Sequence, residues 1–253
     1  MGKSLPIQIA VKKQKRGTYM KKSIALFLTL ILLISFTACG KSQAVKDVEA
    51  AITNIGEVNL DSDKAITDAE KQYEALSEKE AKAVENYSDL TAARETYNSL
   101  VYKEAIDNME KFDYEKAISL LESIPSYKDV GEKLEEAKQG VFQKKCATYI
   151  INFVKSGFYN PSAARVLEAS YGDKNDKYAS AFEADGILYF SLQGTNKMGG
   201  TIVCEYCILF GGANDGKYYE NDTNNNYNES DEVVDVPTIN KIIQKYWEDY
   251  GIN

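Results

Sequence analysis

The sequence predicts an α+β protein, an N-terminal all-α helical region followed by a small antiparallel sheet with covering helices. Apolar residues recur at spacings of three and four from about residue 43 to 157, the signature of amphipathic helices. From residue 158 the pattern changes to β-branched and aromatic runs bounded by glycine, which predicts strands. The final stretch, "VPTINKIIQKYWEDYG", returns to helical spacing.

The chain opens with a leader. Lys21 and Lys22 precede an apolar run from Ile24 to Ile34, broken only by Thr29. That run is short of the ~20 apolar residues a membrane-spanning helix needs. A basic start, a short apolar core and the small residues Thr37 and Ala38 describe an export signal over residues 1–38. Met20 is the better start, because "MKKSIALFL" makes a compact signal and residues 1–19 do not. "FTAC" followed by Gly40 resembles the lipobox of bacterial lipoproteins, with Phe36 where that family usually carries leucine. The resemblance implies that the Cys39 thiol receives a diacylglyceryl group, and that residues 39–42 form a lipidated linker. Two acyl chains suffice for stable anchoring, since each buried CH₂ contributes ~0.8 kcal/mol.

Charge then narrows the function classes. Of the 30 Lys/Arg, seven lie in residues 1–38, so 23 face 38 Asp/Glu in the mature chain, a net charge of −15. Such a surface repels nucleic acid and anionic lipid headgroups alike. Attachment to a membrane is therefore expected through lipid and not through charge.

The helical region follows in order. "QAVKDVEAAITNIG" places Val45, Val48, Ile52 and Ile55 on one face, with Gly56 as its stop. "LDSDKAITDAEKQYEAL" does the same with Ile66, Ala69, Tyr73 and Leu76, and Ser77 with Glu80 has capping-box spacing. A longer helix after Ser88 turns Leu90, Ala93, Tyr97 and Leu100 inward, then Ala105 and Met109. "FDYEKAISLLESIP" adds Ala117, Ile118 and Leu121 before Pro125. Val130, Leu134, Ala137, Val141, Tyr149 and Phe153 predict a last long helix reaching Gly157. In the C-terminal part, Asn160 and Pro161 open a short turn before a β-like run. "DGILYFSLQGTN" and "GGTIVCEYCILFGG" predict two adjacent strands, and "GKYYENDTNNNYNESDE" a polar loop. Ile239, Ile242, Ile243, Tyr246 and Trp247 mark the packing face of the closing helix.

Two stretches resemble known modules. "NIGEV", "YEALSEKEAKAV" and "NYSDL", within residues 43–101, resemble a small helical module of Gram-positive cell-surface proteins. "YKEAIDNMEKFDYEKAISLLESIPSYKDV", within residues 102–157, resembles a single tetratricopeptide-like hairpin, through Tyr102, Ala105, Tyr114, Ala117 and residues 127–129. A lone hairpin must lean on its neighbours, since such arrays need about three repeats for a core of their own. Residues 158–253 look like the C-terminal domain of other exported proteins, through "NPSAARVLEA" and "GTNKMGGTIV". These resemblances imply surface display and protein contact.

The residues present limit the available chemistries. Histidine is absent, which removes Ser-His-Asp and Cys-His catalysis and histidine zinc sites. Gly211, Gly216 and Lys217 fit a phosphate-loop spacing, but Tyr218 stands where a Ser/Thr should be and no helix is predicted to follow. "CEYC" has redox spacing, yet Cys204 and Cys207 lie in a predicted strand and point to opposite faces. The expectation is two separate cysteines, with a disulfide from Cys146 to Cys204 or Cys207 as the minor alternative. In the loop at 222–232, Asp222, Asn224 and Asn226 suit the first calcium-ligand positions, but Tyr227 and Val233 do not suit the invariant glycine and glutamate. Tyr189, Tyr206, Tyr218 and Tyr219 raise a tyrosine-lined binding face against plain core packing.

The reading is a lipid-anchored extracytoplasmic protein, held at the cell membrane by Cys39, that docks an envelope or surface protein. The alternative is a small-ligand-binding accessory lipoprotein. Neither assigns a catalytic residue, a cofactor or a metal. In the native host, Cys39→Ser is expected to abolish incorporation of labelled palmitate and shift the chain out of the membrane fraction. Unchanged labelling would refute the anchor.

Overall fold

The computed structural model describes residues 40–220 and 232–251. The expected export signal, Cys39 and most of the loop at 222–232 lie outside the described residues. The chain divides into two compact units: residues 40–57 with 63–92 in the first, and 58–62 with the described residues from Ala93 onward in the second.

The first unit contains helices α1 (Gln43–Asn54), α2 (Asp63–Glu74) and α3 (Glu78–Ala81), and the start of α4 (Tyr87–Glu110). Of the predicted faces, Val45, Val48, Ile52, Ile66 and Ala69 form its core with Val84 and Leu90, while Ile55, Tyr73 and Leu76 are half-buried. Helix α1 ends where the sequence indicates, with Gly56 in the left-handed region at φ 63°. The Ser77–Glu80 capping box forms, and Glu80 also accepts from the Ser42 hydroxyl at 2.8 Å. Asn86 donates to the Glu49 carbonyl at 3.0 Å, and Lys41 pairs with both Glu49 and Glu85. The rings of Tyr73 and Tyr87 stack with centroids 4.1 Å apart.

In the second unit, the rest of α4 is followed by α5 (Tyr114–Glu122) and α6 (Val130–Gly157). Val101 is buried where the periodicity predicts Leu100, which is half-buried. The inward row is therefore Leu90, Ala93, Tyr97, Val101, Ala105 and Met109, closer to a 3.6-residue turn sustained over the whole helix. Helices α5 and α6 approach closely at Tyr114 and Gly140. A Cβ at residue 140 would lie 2.2 Å from the Tyr114 ring, so only glycine fits there. Between them, Tyr127 is buried and donates to Glu95 at 3.1 Å, while Tyr102 donates to Asp129 at 2.7 Å. The Lys128 ammonium lies 4.6 Å from the centre of the Tyr127 ring.

A short 3-10 turn (Pro161–Ala163) leads into the sheet, which has four antiparallel strands in the order β1-β2-β3-β4. They are β1 (Arg165–Asp173), β2 (Gly186–Thr195), β3 (Thr201–Phe210) and β4 (Tyr218–Glu220), with α7 (Lys177–Ala181) after β1 and α8 (Val236–Asp249) at the end. The two predicted strands are adjacent, with Leu188 opposite Ile208. The loop expected to begin at Gly216 instead gives its residues 218–220 to β4, paired with residues 206–208 of β3.

Both faces of the sheet are covered in part. On one, Phe153 of α6 sits against Phe190, Tyr206 and Tyr218, with centroids 4.5–5.8 Å apart. On the other, Ala179 of α7 packs with Ala184, Ile187, Tyr189 and Leu209. Helix α8 buries Ile239, Ile242, Ile243 and Trp247 of its predicted face and leaves Tyr246 half-buried.

Gly140→Ala is expected to destabilise the chain by about 1–3 kcal/mol in urea unfolding, the usual cost of overpacking. This would occur although alanine favours a helix by about 1 kcal/mol over glycine. A stabilised variant would contradict the close approach of Tyr114 and Gly140.

Candidate functional site

The two edges of the sheet are treated differently. On β1, Asn240 of α8 accepts from the Val166 N–H at 3.0 Å and donates to the Val166 carbonyl at 2.8 Å. Its carboxamide thus pairs with the edge as a neighbouring strand would. The irregularity between Val166 and Glu168 further blunts that edge.

Among the described residues the other edge is uncovered along part of its length. Leu209 of β3 donates to the Lys217 carbonyl at 2.9 Å and accepts from Gly216 at 2.8 Å, on the β4 side. The Phe210 carbonyl, one residue on, accepts from Asp185 at 2.7 Å on the β2 side. In an antiparallel ladder the direction alternates, so Thr201, Val203 and Glu205 turn their backbone groups away from β2. Strand β4 pairs only with residues 206–208, and no strand among the described residues lies beside residues 201–205. Val203 is 56% exposed there, with Tyr218 and Tyr219 at 50% and 38%. Glu205 and Glu220 add negative charge to the same edge.

The tyrosines named from the sequence separate into two kinds. Tyr189 is buried and donates to Asp176 at 2.9 Å, and burial raises its phenol well above the usual range. Asp176 Oδ1 also caps α7 through the Tyr178 and Ala179 N–H groups, and its Oδ2 has no hydrogen-bond partner among the described residues. Tyr206 is half-buried against Phe153, its phenol pushed up to about 12, chiefly by burial and then by its bond with Cys204. Only Tyr218 and Tyr219 present surface; Tyr219 stacks on Phe182 at 5.0 Å.

The phosphate-loop spacing resolves into a closed turn. Asp215 accepts from the Tyr149 hydroxyl and, at 2.6 Å, from the Gly211 N–H, which holds its carboxyl below the usual carboxylate range. A carboxylate thus occupies the position an anion would need, and Lys217 donates to Asn214 at 2.7 Å. Cys146, Cys204 and Cys207 are all free, which sets aside the disulfide alternative. Cys204 lies on the Tyr206 side of β3, while Cys207 packs beside Tyr189 and Leu209 on the other. Among the described residues no group of His, Cys, Asp and Glu could hold a metal ion, and no helix is long and apolar enough to cross a membrane. Calcium ligation by Asp222, Asn224 and Asn226 falls outside them.

A second feature was not foreseen. A cleft of about 440 Å³ opens between the end of α4, the starts of α5 and α8, and the middle of α6. Ile106, Met109 and Tyr114 form one side, with Gly140 and Gln143 at the back. Gln143 is buried and ties down the chain ahead of α8, donating to the Val233 carbonyl at 2.7 Å and accepting from the Asp235 N–H at 2.9 Å. Glu110, Glu136 and Asp235 reach the rim, and Lys133 pairs with Glu136 at 2.6 Å.

No family model, curated protein or solved structure matches the chain.

Burial fixes one pH response. It pushes the Cys146 thiol from an ordinary value of 9.0 up to about 12, and the Tyr171 phenol from 10.0 up to about 12. Above the ordinary values the unfolded chain loses protons that the folded chain retains, so stability falls as pH rises. Unfolding by urea is expected to become easier between pH 9 and 12, and Cys146→Ala to flatten the start of that fall. An unchanged slope in this variant would contradict the burial of an intact thiol.

Proposed function

We propose that this is a lipid-anchored extracytoplasmic docking protein whose C-terminal sheet takes up an extended segment of a partner protein along β3. The observation that supports it is that no described strand lies beside residues 201–205 of β3, whereas Asn240 pairs with Val166 on β1 at the opposite edge. Strand addition draws affinity from backbone hydrogen bonds and selectivity from alternate side chains. Here the backbone groups are those of Thr201, Val203 and Glu205, and the adjoining side chains are Val203, Tyr218 and Tyr219. The acidic flank of Glu205 and Glu220, on a mature chain of net charge −15, selects a basic extended segment with an apolar residue opposite Val203. Attachment through Cys39 would hold this edge at the outer face of the membrane. A small-ligand role draws support from the cleft alone.

Val203→Pro removes one outward donor without touching the β2 ladder, because that N–H points away from β2. With a photo-crosslinking residue replacing Met198 in the native host, the adduct formed by the wild-type edge is expected to disappear in Val203→Pro. The melting temperature should change little. An adduct of equal yield in both would sink strand addition.

A further inference from the structure

We propose that the cleft between α4, α5, α6 and α8 binds a small organic cation with an apolar body. This is independent of strand docking at β3. The volume of about 440 Å³ lies within the usual ~300–1,000 Å³ of small-molecule sites. Its walls divide by chemistry. Ile106, Met109 and the Tyr114 ring offer apolar surface, with methionine adapting to irregular shapes. The rim carries three carboxylates, Glu110, Glu136 and Asp235, against the single ammonium of Lys133, which Glu136 already holds at 2.6 Å. An anion would meet net repulsion there and a cation net attraction.

Tyr114 points to a ligand independently of those charges. Its side chain is only 6% exposed, yet its hydroxyl makes no hydrogen bond among the described residues. The hydroxyl is not closed off from solvent, so a molecule in the cleft can reach it. The ring is fixed against Gly140, so the hydroxyl cannot easily turn away. Burial raises its phenol, and the Glu136 and Asp235 carboxylates raise it further, which places the oxygen within reach of the same negative field as the cleft. A phenol oxygen there accepts from an ammonium N–H, while the carboxylates supply the countercharge.

The probe is benzylammonium, followed by ligand-observed saturation-transfer NMR on the full chain in non-ionic detergent. Benzyl alcohol serves as the neutral isostere and benzoate as the anion. Benzylammonium is expected to saturate with a Kd of about 1 mM or tighter, and benzyl alcohol to bind at least about tenfold more weakly. Tyr114→Phe removes a hydroxyl that no described residue uses, so folding should be preserved while affinity drops several-fold. Glu110→Gln with Glu136→Gln should weaken binding at least as much. Absence of saturation, or equal binding of benzyl alcohol or benzoate, would overturn the assignment in the wild-type chain alone. Wild-type affinity in either variant would overturn it too.

Discussion

The second unit depends on one helix doing two packing jobs along its length. The first half of α6 lies against α5, where Gly140 admits the Tyr114 ring. Its second half carries Phe153 onto the sheet, where that single ring meets Phe158, Phe190, Tyr206 and Tyr218. The apolar face must therefore widen along the helix, from Val130 and Ala137 to the near-continuous Cys146, Ala147, Ile150, Ile151, Phe153 and Val154. Aromatic contacts of this kind add about 0.5–1.5 kcal/mol each beyond the area they bury. Gln143 stands where the two halves meet and fixes the entry to α8, which in turn covers the β1 edge through Asn240. The order of packing leads from α6 to α8 and from α8 to the sheet.

That order leaves one consequence for function. The Asn240 amide caps the β1 edge at Val166, and the irregularity that follows blunts that edge further. The length of β3 that no described strand covers is short, flanked by glutamates, and carries one exposed valine at its centre, the features on which the proposed docking rests. Glu205 and Glu220 disfavour self-pairing there, because two copies bring like charge together.

Much of the helical architecture was legible because its signals are local. Caps, stops and apolar spacing fix α1, α5, α6 and α8, and the glycine-bounded runs fix β2 and β3. Helix α7 and strand β4 were not, since five and three residues are too few to display a period. Tyr189 and Tyr218 read alike in sequence; the Asp176 cap and the sheet's coverage decide which is core and which is surface. The cleft was illegible because it joins residues from Ile106 to Thr238, and its clue, an unbonded Tyr114 hydroxyl, exists only after packing. The Asn240 bond to Val166 leaves no trace in the spacing, since nothing local to α8 names its partner.

The central claim is that β3 keeps an unpaired edge, and amide hydrogen exchange resolved by residue tests it most directly. In the isolated chain, the Cys204 and Tyr206 amides face β2 and should be strongly protected. The Val203 and Glu205 amides, one residue away on the same strand, should exchange at rates typical of exposed loops. Such alternation along residues 203–206 would establish a strand with one free side. Equal protection of all four would mean the edge is already occupied, and strand docking would have to be abandoned.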